Sequence, residues 1–346
     1  MKIGILSLYL GRNYGGILQQ YALSKYLESF GHQVVILNRQ YNGGGFVMCM
    51  IRKTLKSMGV KRYNQTPRPE YNIQPFIQRE FTITSPASSS SQFAKLCKKE
   101  GLDAIVYGSD QIWRREFELN YGLDYFGVSM PASVKQIAYA PSFGLDVWEY
   151  NASETARIKE SLSRFVALSS REESGVKLIK ENLSLEATLV SDPTMLLTAE
   201  QYAQISSKSL QNNPYCFVYW LGDEESMKKA IEGCERIKGL KVVTINLRMT
   251  YPLPSIEDWL SYIANSDYVI TDSFHGTVFS LLFQKQFYIH CNKSGGFGRL
   301  ETLLKQVGAE SKLTNPTEEV DYSTVNTRIN DFRNQSQSFL KQALPR

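Results

Sequence analysis

The chain has 346 residues, enough for two domains of ordinary size, each with a core of its own. Its 42% hydrophobic and 21% charged residues read as a soluble globular protein, and no apolar run approaches the length of a membrane span. The net charge of +5 is spread along the sequence with one local excess and no basic array interleaved with aromatics. That argues against a dedicated nucleic-acid protein and leaves room for anionic ligands. Cys49, Cys97, Cys216, Cys234 and Cys291 are scattered and odd in number, without CxxC or Cys/His spacing. Reduced thiols in a cytoplasmic protein are expected, and no metal site.

Residues 3 to 8 form a near-continuous apolar run, as a parallel strand buried on both faces does, and Arg12 and Asn13 interrupt it too early for a signal peptide. The turn Gly11-Arg12-Asn13-Tyr14-Gly15-Gly16 leads into a helix from Ile17, ended near Gly31, and Val34 to Leu37 is the next strand. This βαβ unit lacks the GxGxxG dinucleotide pattern. Its turn, with Asn13 and Gly16, either receives a ligand or needs glycine only for tightness. In residues 45–62 an apolar stripe (Val47, Met48, Ile51, Leu55, Met58) lies beside Arg52, Lys53, Lys56, Lys61 and Arg62. Such a helix can lie on an anionic membrane face, or it is a core stripe with a solvated basic face. Residues 63 to 92 read as a long connection around one short helix.

Asp103 to Tyr107 then gives a strand ending in Gly108-Ser109-Asp110-Gln111, and Ile137 to Ala140 repeats the design. Carboxyl ends of parallel strands collect ligands, which makes Ser109, Asp110 and Gln111 pocket residues, although Asp110 would equally serve as a helix cap. A further strand end carries Arg171, whose planar guanidinium suits a carboxylate or phosphate, or else pairs with Glu172 or Glu173. Val190-Ser191-Asp192-Pro193 closes this alternation before a polar linker.

A second α/β series runs from Tyr215 to about residue 305, and its centre is Tyr268-Val269-Ile270-Thr271-Asp272-Ser273-Phe274-His275-Gly276. An apolar run, a tight turn and a helix place Ser273, Phe274 and Gly276 at a helix N-terminus. There free N–H groups and the helix dipole favour an anion, with Gly276 clearing the way to the backbone. His275 beside such an anion is a general-acid candidate; alternatively Asp272 or Ser273 only caps the helix and His275 packs. Gly295 to Glu301, with Arg299, enters a further helix, and the last twenty or so residues are polar and helical.

Two α/β series with site residues at strand ends describe two Rossmann-like domains facing a central cleft, a GT-B-like fold. The expected domains are residues 1–197, on the acceptor side and carrying Arg171, and residues 198–325, carrying His275, with a C-terminal helix at 326–346. The segments Asn13-Tyr14-Gly15-Gly16, Gly108-Ser109-Asp110-Gln111-Ile112-Trp113, Ser170-Arg171-Glu172 and Thr271-Asp272-Ser273-Phe274-His275-Gly276, with Ser191-Asp192-Pro193 between the last two, resemble the polysaccharide pyruvyl transferase family. The resemblance covers residue 4 to about 305. It implies transfer of an enolpyruvyl unit from phosphoenolpyruvate to two hydroxyls of a glycan, giving a pyruvate ketal and phosphate, with no cofactor. Arg171 matches the family's donor-binding arginine and His275 its cleft histidine. Ser273 stands where members carry arginine, so Arg299, Lys293 or backbone N–H groups would have to compensate. His275 would be the proton donor, Arg171 the clamp and Asp110 a base for an acceptor hydroxyl. Lipid-linked acceptors, common in glycan assembly, would fit peripheral membrane contact through residues 45–62. A GT-B glycosyltransferase using a sugar nucleotide, or a non-catalytic glycan- or anion-binding protein, remain the alternatives.

Overall fold

Four short runs whose residues are buried almost throughout are β1 (Lys2–Leu6), β2 (Gln33–Ile36), β3 (Ala104–Tyr107) and β4 (Lys135–Ala138). A computed structural model, which describes residues 1–40, 72–118, 121–131, 133–290 and 297–345, joins them in one parallel sheet of order β2-β1-β3-β4. The basic stripe at 45–62, together with Cys49, Cys291 and Lys293, lies outside the described residues. The helices of this half are α1 (Tyr14–Glu28), α2 (Gln74–Glu80), α3 (Ser90–Glu100), α4 (Arg115–Glu118), α5 (Ala152–Leu162) and α6 (Glu173–Leu183). Two short parallel strands, β5 (Ser169–Ser170) and β6 (Thr188–Leu189), extend the sheet beyond β4 through a bridge between Ile137 and Ala167.

The second half repeats the plan. After α7 (Ala199–Ala203) come β7 (Tyr215–Trp220), α8 (Glu224–Glu232), β8 (Lys241–Asn246), α9 (Ile256–Ala264), β9 (Tyr268–Thr271), α10 (Phe274–Leu282), β10 (Phe287–Ile289) and α11 (Phe297–Val307). Its sheet is again wholly parallel, in the order β10-β9-β7-β8. Numbered within its own half, each sheet has the order 2-1-3-4, so each has a point between its first and third strands where the crossovers diverge. Ligands gather outside the carboxyl ends of strands at such a point. The fold is therefore α/β, built from two Rossmann-like halves as a GT-B-type chain is.

Helix α1 shows how the halves meet. Of its 15 residues 12 are buried, Gln19, Gln20 and Ser24 among them, so it has no broad solvent face and must lie between layers. Tyr14, its first residue, stacks on Trp259 of α9 at 5.3 Å between ring centroids, meets Tyr219 of β7 edge-on, and donates its hydroxyl to the Pro254 carbonyl at 2.8 Å. Each aromatic pair contributes about 0.5–1.5 kcal/mol beyond its area. One apolar cluster runs from Ile3 and Ile17 through Trp259 and Phe279 to Leu340. The final helix, α12 (Tyr322–Ala343), begins before residue 326 and crosses back to the first half. There Ser336 accepts from the Ser191 N–H at 2.8 Å and the Arg333 Nε donates to the Met195 carbonyl at 2.7 Å. Phe332 and Leu340 bury on the same face, as their spacing predicts.

Cys97, Cys216 and Cys234 are buried free thiols, and burial pushes Cys97 and Cys216 up to about 12. Among the described residues no helix is long and apolar enough to cross a membrane.

Candidate functional site

The first sheet's divergence point is marked by a hydrogen bond between strand ends: Ser7, just past β1, donates its hydroxyl to the carbonyl of Ser109, just past β3, at 2.9 Å. Ser109 then turns its own Oγ to Asp192 at 3.1 Å and to Arg171 Nη1 at 3.3 Å. The next residue, Asp110, holds a φ of 78°, and Ala140 past β4 holds 56°. Left-handed backbone costs a non-glycine residue about 1–2 kcal/mol, less for aspartate, so both strand ends are bent against their preference, Asp110 to meet Arg171 and Ala140 with its N–H on Ser169 Oγ.

Arg171 follows β5 and is buried, its guanidinium ringed by carboxylates. Nη1 donates to Asp192 Oδ2 at 2.9 Å, Nη2 to Asp110 Oδ1 at 3.4 Å, and Nε lies 3.7 Å from Glu172 Oε2. Its far face covers the Phe274 ring at 5.0 Å, a contact across the seam between the halves. Burial disfavours the charge, but Asp110, Asp192 and Glu172 outweigh it and hold the guanidinium charged.

From the other half, α10 presents His275, which is 6% exposed, and brings Nε2 to 3.6 Å from the same Asp192 Oδ2. The imidazole fits because position 15 is glycine: a Cβ there would lie 2.0 Å from His275 Nδ1. Gly15 and Gly16 lie in the first turn of α1, which starts at Tyr14 and not at Ile17 as the sequence suggested, and this helix start is the socket for the histidine of the second half. Asp192 is the hub. Burial pushes its carboxyl up, but His275 and Arg171, with the Thr194 N–H, pull it well below the usual carboxylate range. Glu172 moves the other way, because burial outweighs Arg171 and its remaining partners. Arg299, on α11, joins the same field. Burial and the nearby Arg171 charge lower it to about 10, against Glu172, Asp110 and Asp192.

Arg171, His275, Asp110, Phe274 and Arg299 are therefore brought together. Ser273 is the N-cap of α10, accepting from the Gly276 N–H at 3.2 Å, while its own N–H goes to Thr271 Oγ1. Gly276 has a different reason from ligand access: a Cβ there would meet Thr271 Oγ1 at 2.3 Å. The turn is committed to capping and close packing, and this corrects the expectation of an open backbone anion site at Gly276. Asp272 does not cap α10. Its carboxylate accepts the Leu221 and Gly222 N–H groups, both at 2.8 Å, and so closes the second sheet's divergence point. Asn13 is exposed at the α1 N-cap position without a side-chain cap bond, with Gly16 beside it. Gln111 accepts from Arg114 at 3.2 Å.

Sequence reasoning missed Asp192 as the hub. Its signal was an Asp-Pro pair before a short turn, and the cap it makes to Thr194 gave a complete local reason for the residue. It also missed Gly15 as a socket, because the atom that needs the space is 260 residues away in the chain.

The family model for polysaccharide pyruvyl transferases matches residues 13–289. No curated protein matches the sequence. Solved structures similar to it include a UDP-GlcNAc 2-epimerase from Methanocaldococcus jannaschii (13% identity, 96% of this chain and 93% of that one, TM-score 0.45). Others are an alpha-glucosyltransferase in complex with UDP (10% identity, 99% and 96%, TM-score 0.44) and the glycosyltransferase VinC in complex with dTDP (10% identity, 99% and 99%, TM-score 0.43).

Proposed function

The chain belongs to the polysaccharide pyruvyl transferase family, and from that premise we propose that it moves the three-carbon unit of phosphoenolpyruvate onto two hydroxyls of a glycan. One observation supports the donor site most: Arg171 Nε, Arg299 Nε and His275 Nε2 are all buried beyond hydrogen-bond reach of an acceptor, the first and last with carboxylates of Glu172 and Asp192 only at 3.7 and 3.6 Å, in one cluster from both halves. Buried donors left unpaired cost about 1–3 kcal/mol each, so a cluster of three marks where an anionic ligand would be satisfied. Arg299 supplies the positive charge that Ser273 does not.

The residues divide the work. Arg171 and Arg299 hold the donor's carboxylate and phosphate. His275 delivers a proton to the methylene carbon, its Nε2 standing 3.6 Å from Asp192 Oδ2. The oxocarbenium-like centre at C2 takes one acceptor hydroxyl; a second hydroxyl then displaces phosphate and closes the ketal. Of the two hydroxyl protons lost, one balances that given to the methyl group and the other leaves with phosphate. Asp110 is the base for an acceptor hydroxyl. Two arginines face three carboxylates here, so an incoming polyanion needs a proton taken up as well, and Glu172, already raised by burial, is the carboxyl that accepts it.

A thermal-shift titration tests the reading, since a ligand specific to the folded state raises the melting temperature. Phosphoenolpyruvate should stabilise the wild type and not Arg299→Ala. Stabilisation by sugar nucleotides and not by phosphoenolpyruvate would replace this reading with a glycosyltransferase. The membrane-facing role of residues 45–62 stays part of the proposal, tested by liposome co-sedimentation at low and high salt.

A further inference from the structure

Beside the donor cluster, on the other side of the Ser7–Ser109 strand-end contact, lies a cavity of about 200 Å³ at the carboxyl ends of β1 and β2. We infer that this cavity holds the terminal sugar of an uncharged glycan acceptor, an assignment that rests on the transferase reading above. Three features of its wall carry the inference.

The first is the rim. Tyr9 is 74% exposed, a large ring left in water where it lines the cavity. A flat aromatic face is what the C–H face of a pyranose covers. The second is the set of amides. Asn38, Gln40 and Gln74 line the cavity, and their side chains make no hydrogen bond to another described residue. An amide both donates and accepts, as a sugar hydroxyl does, so three of them suit a ring edge of hydroxyls. Leu8, Leu10, Ile36, Leu37, Ile77 and Ile83 supply the apolar remainder of the wall.

The third is charge. Arg39 lines the cavity but is consumed elsewhere: Nε donates to Asp124 at 2.7 Å, Nη1 to the carbonyls of Gln40 and Ala87, and Nη2 to that of Tyr121, whose ring it also covers. Arg39 and Asp124 cancel in a buried pair. Among the described residues the wall offers no free charge to an anionic donor, while a neutral sugar loses nothing there. Ser7 belongs to this wall and bonds Ser109, which in turn bonds Arg171, so the wall is tied to the donor cluster through two hydrogen bonds. The small volume fits one ring, with the rest of the glycan leaving past Tyr9.

An array of neutral and charged glycans, probed with the wild type, Tyr9→Ala and Asn38→Ala/Gln74→Ala, tests the assignment. Phosphoenolpyruvate thermal shifts are run on the same three proteins. Tyr9 is exposed, so its alanine variant keeps the fold. Wild-type binding to a neutral glycan that falls roughly tenfold or more in both variants, with the phosphoenolpyruvate shift unchanged, is the expected result. Binding undiminished in the variants, binding confined to charged glycans, or no binding by the wild type would overturn it. Loss of the phosphoenolpyruvate shift in the wild type would instead strike the donor reading, and the array would still decide the sugar site.

Discussion

Replacing Gly15 by alanine probes the joint between the halves with a single methyl group. The new Cβ would stand 2.0 Å from His275 Nδ1 and 2.2 Å from Cγ, where ordinary contacts begin near 3.4 Å, so the imidazole must retreat by more than an ångström. It cannot do so and keep its place 3.6 Å from Asp192. Two effects oppose each other in stability. Alanine gains about 1 kcal/mol over glycine inside a helix, whereas forcing a methyl into a packed site costs about 1–3 kcal/mol. The net change is small or destabilising and would not by itself be diagnostic. The double-mutant cycle with His275→Ala is, because removing the ring abolishes the clash and leaves the helix gain. Urea denaturation of the four proteins should show Gly15→Ala destabilising when His275 is present and stabilising when it is absent, a coupling of about 1–3 kcal/mol. Donor-dependent turnover should fall roughly 100-fold in Gly15→Ala, as an ångström of misplacement at a reacting group does. Additive stabilities within about 0.5 kcal/mol would refute the socket.

Other expectations follow from the same contacts. Arg171→Ala strips the cation from three buried carboxylates and should cost about 3–5 kcal/mol of stability in denaturant melts, so a donor-binding assay on it needs Arg171→Lys as its folded companion. Asp192 has a folded-state pKa depressed below its unfolded value. Its contribution is therefore fully present above about pH 4 and is lost as pH falls further. Asp192→Asn should be less stable than the wild type at pH 7 and converge with it on acidification, which melting curves from pH 7 to 2 would show. Lys312, buried behind β10, donates to the carbonyls of Phe287, Pro316 and Glu318; Lys312→Met should leave the buried Phe287 carbonyl unpaired, the other two being open to water, and lower stability by roughly 1–3 kcal/mol. An unchanged melting midpoint in that variant would show that water replaces the ammonium.

The regularities that let the fold be read in advance are local ones. Runs such as Ile3 to Leu6 and Tyr215 to Trp220 are apolar without alternation because both faces are covered, and helices such as α3 and α8 open on a capping side chain and close on a glycine. Position at a strand end, the one rule applied to Ser109, Asp110, Arg171 and His275, brought together four residues that do meet in space. What remained hidden is what distance along the chain conceals. Asp192 caps its own turn, so nothing local marks it as the partner of two residues from different halves. Gly276 reads as an opening for a ligand because glycine so often is one, yet Thr271, five residues earlier and on the preceding strand, fills that opening. Arg299 was named only as a substitute for the charge missing at Ser273, and its place in the field of Asp110, Glu172 and Asp192 depends on how α11 lies across the seam.

Turnover decides the central claim. Wild type and His275→Ala would be mixed with phosphoenolpyruvate and the glycans retained by the array, with phosphate release followed in time and the product's methyl signal by NMR. Phosphate released together with a new ketal methyl resonance, and a rate lower by about 10²- to 10⁴-fold in His275→Ala, is the predicted result. Phosphate release at equal rates from both proteins, or a nucleoside diphosphate released when sugar nucleotides are offered instead, would contradict it.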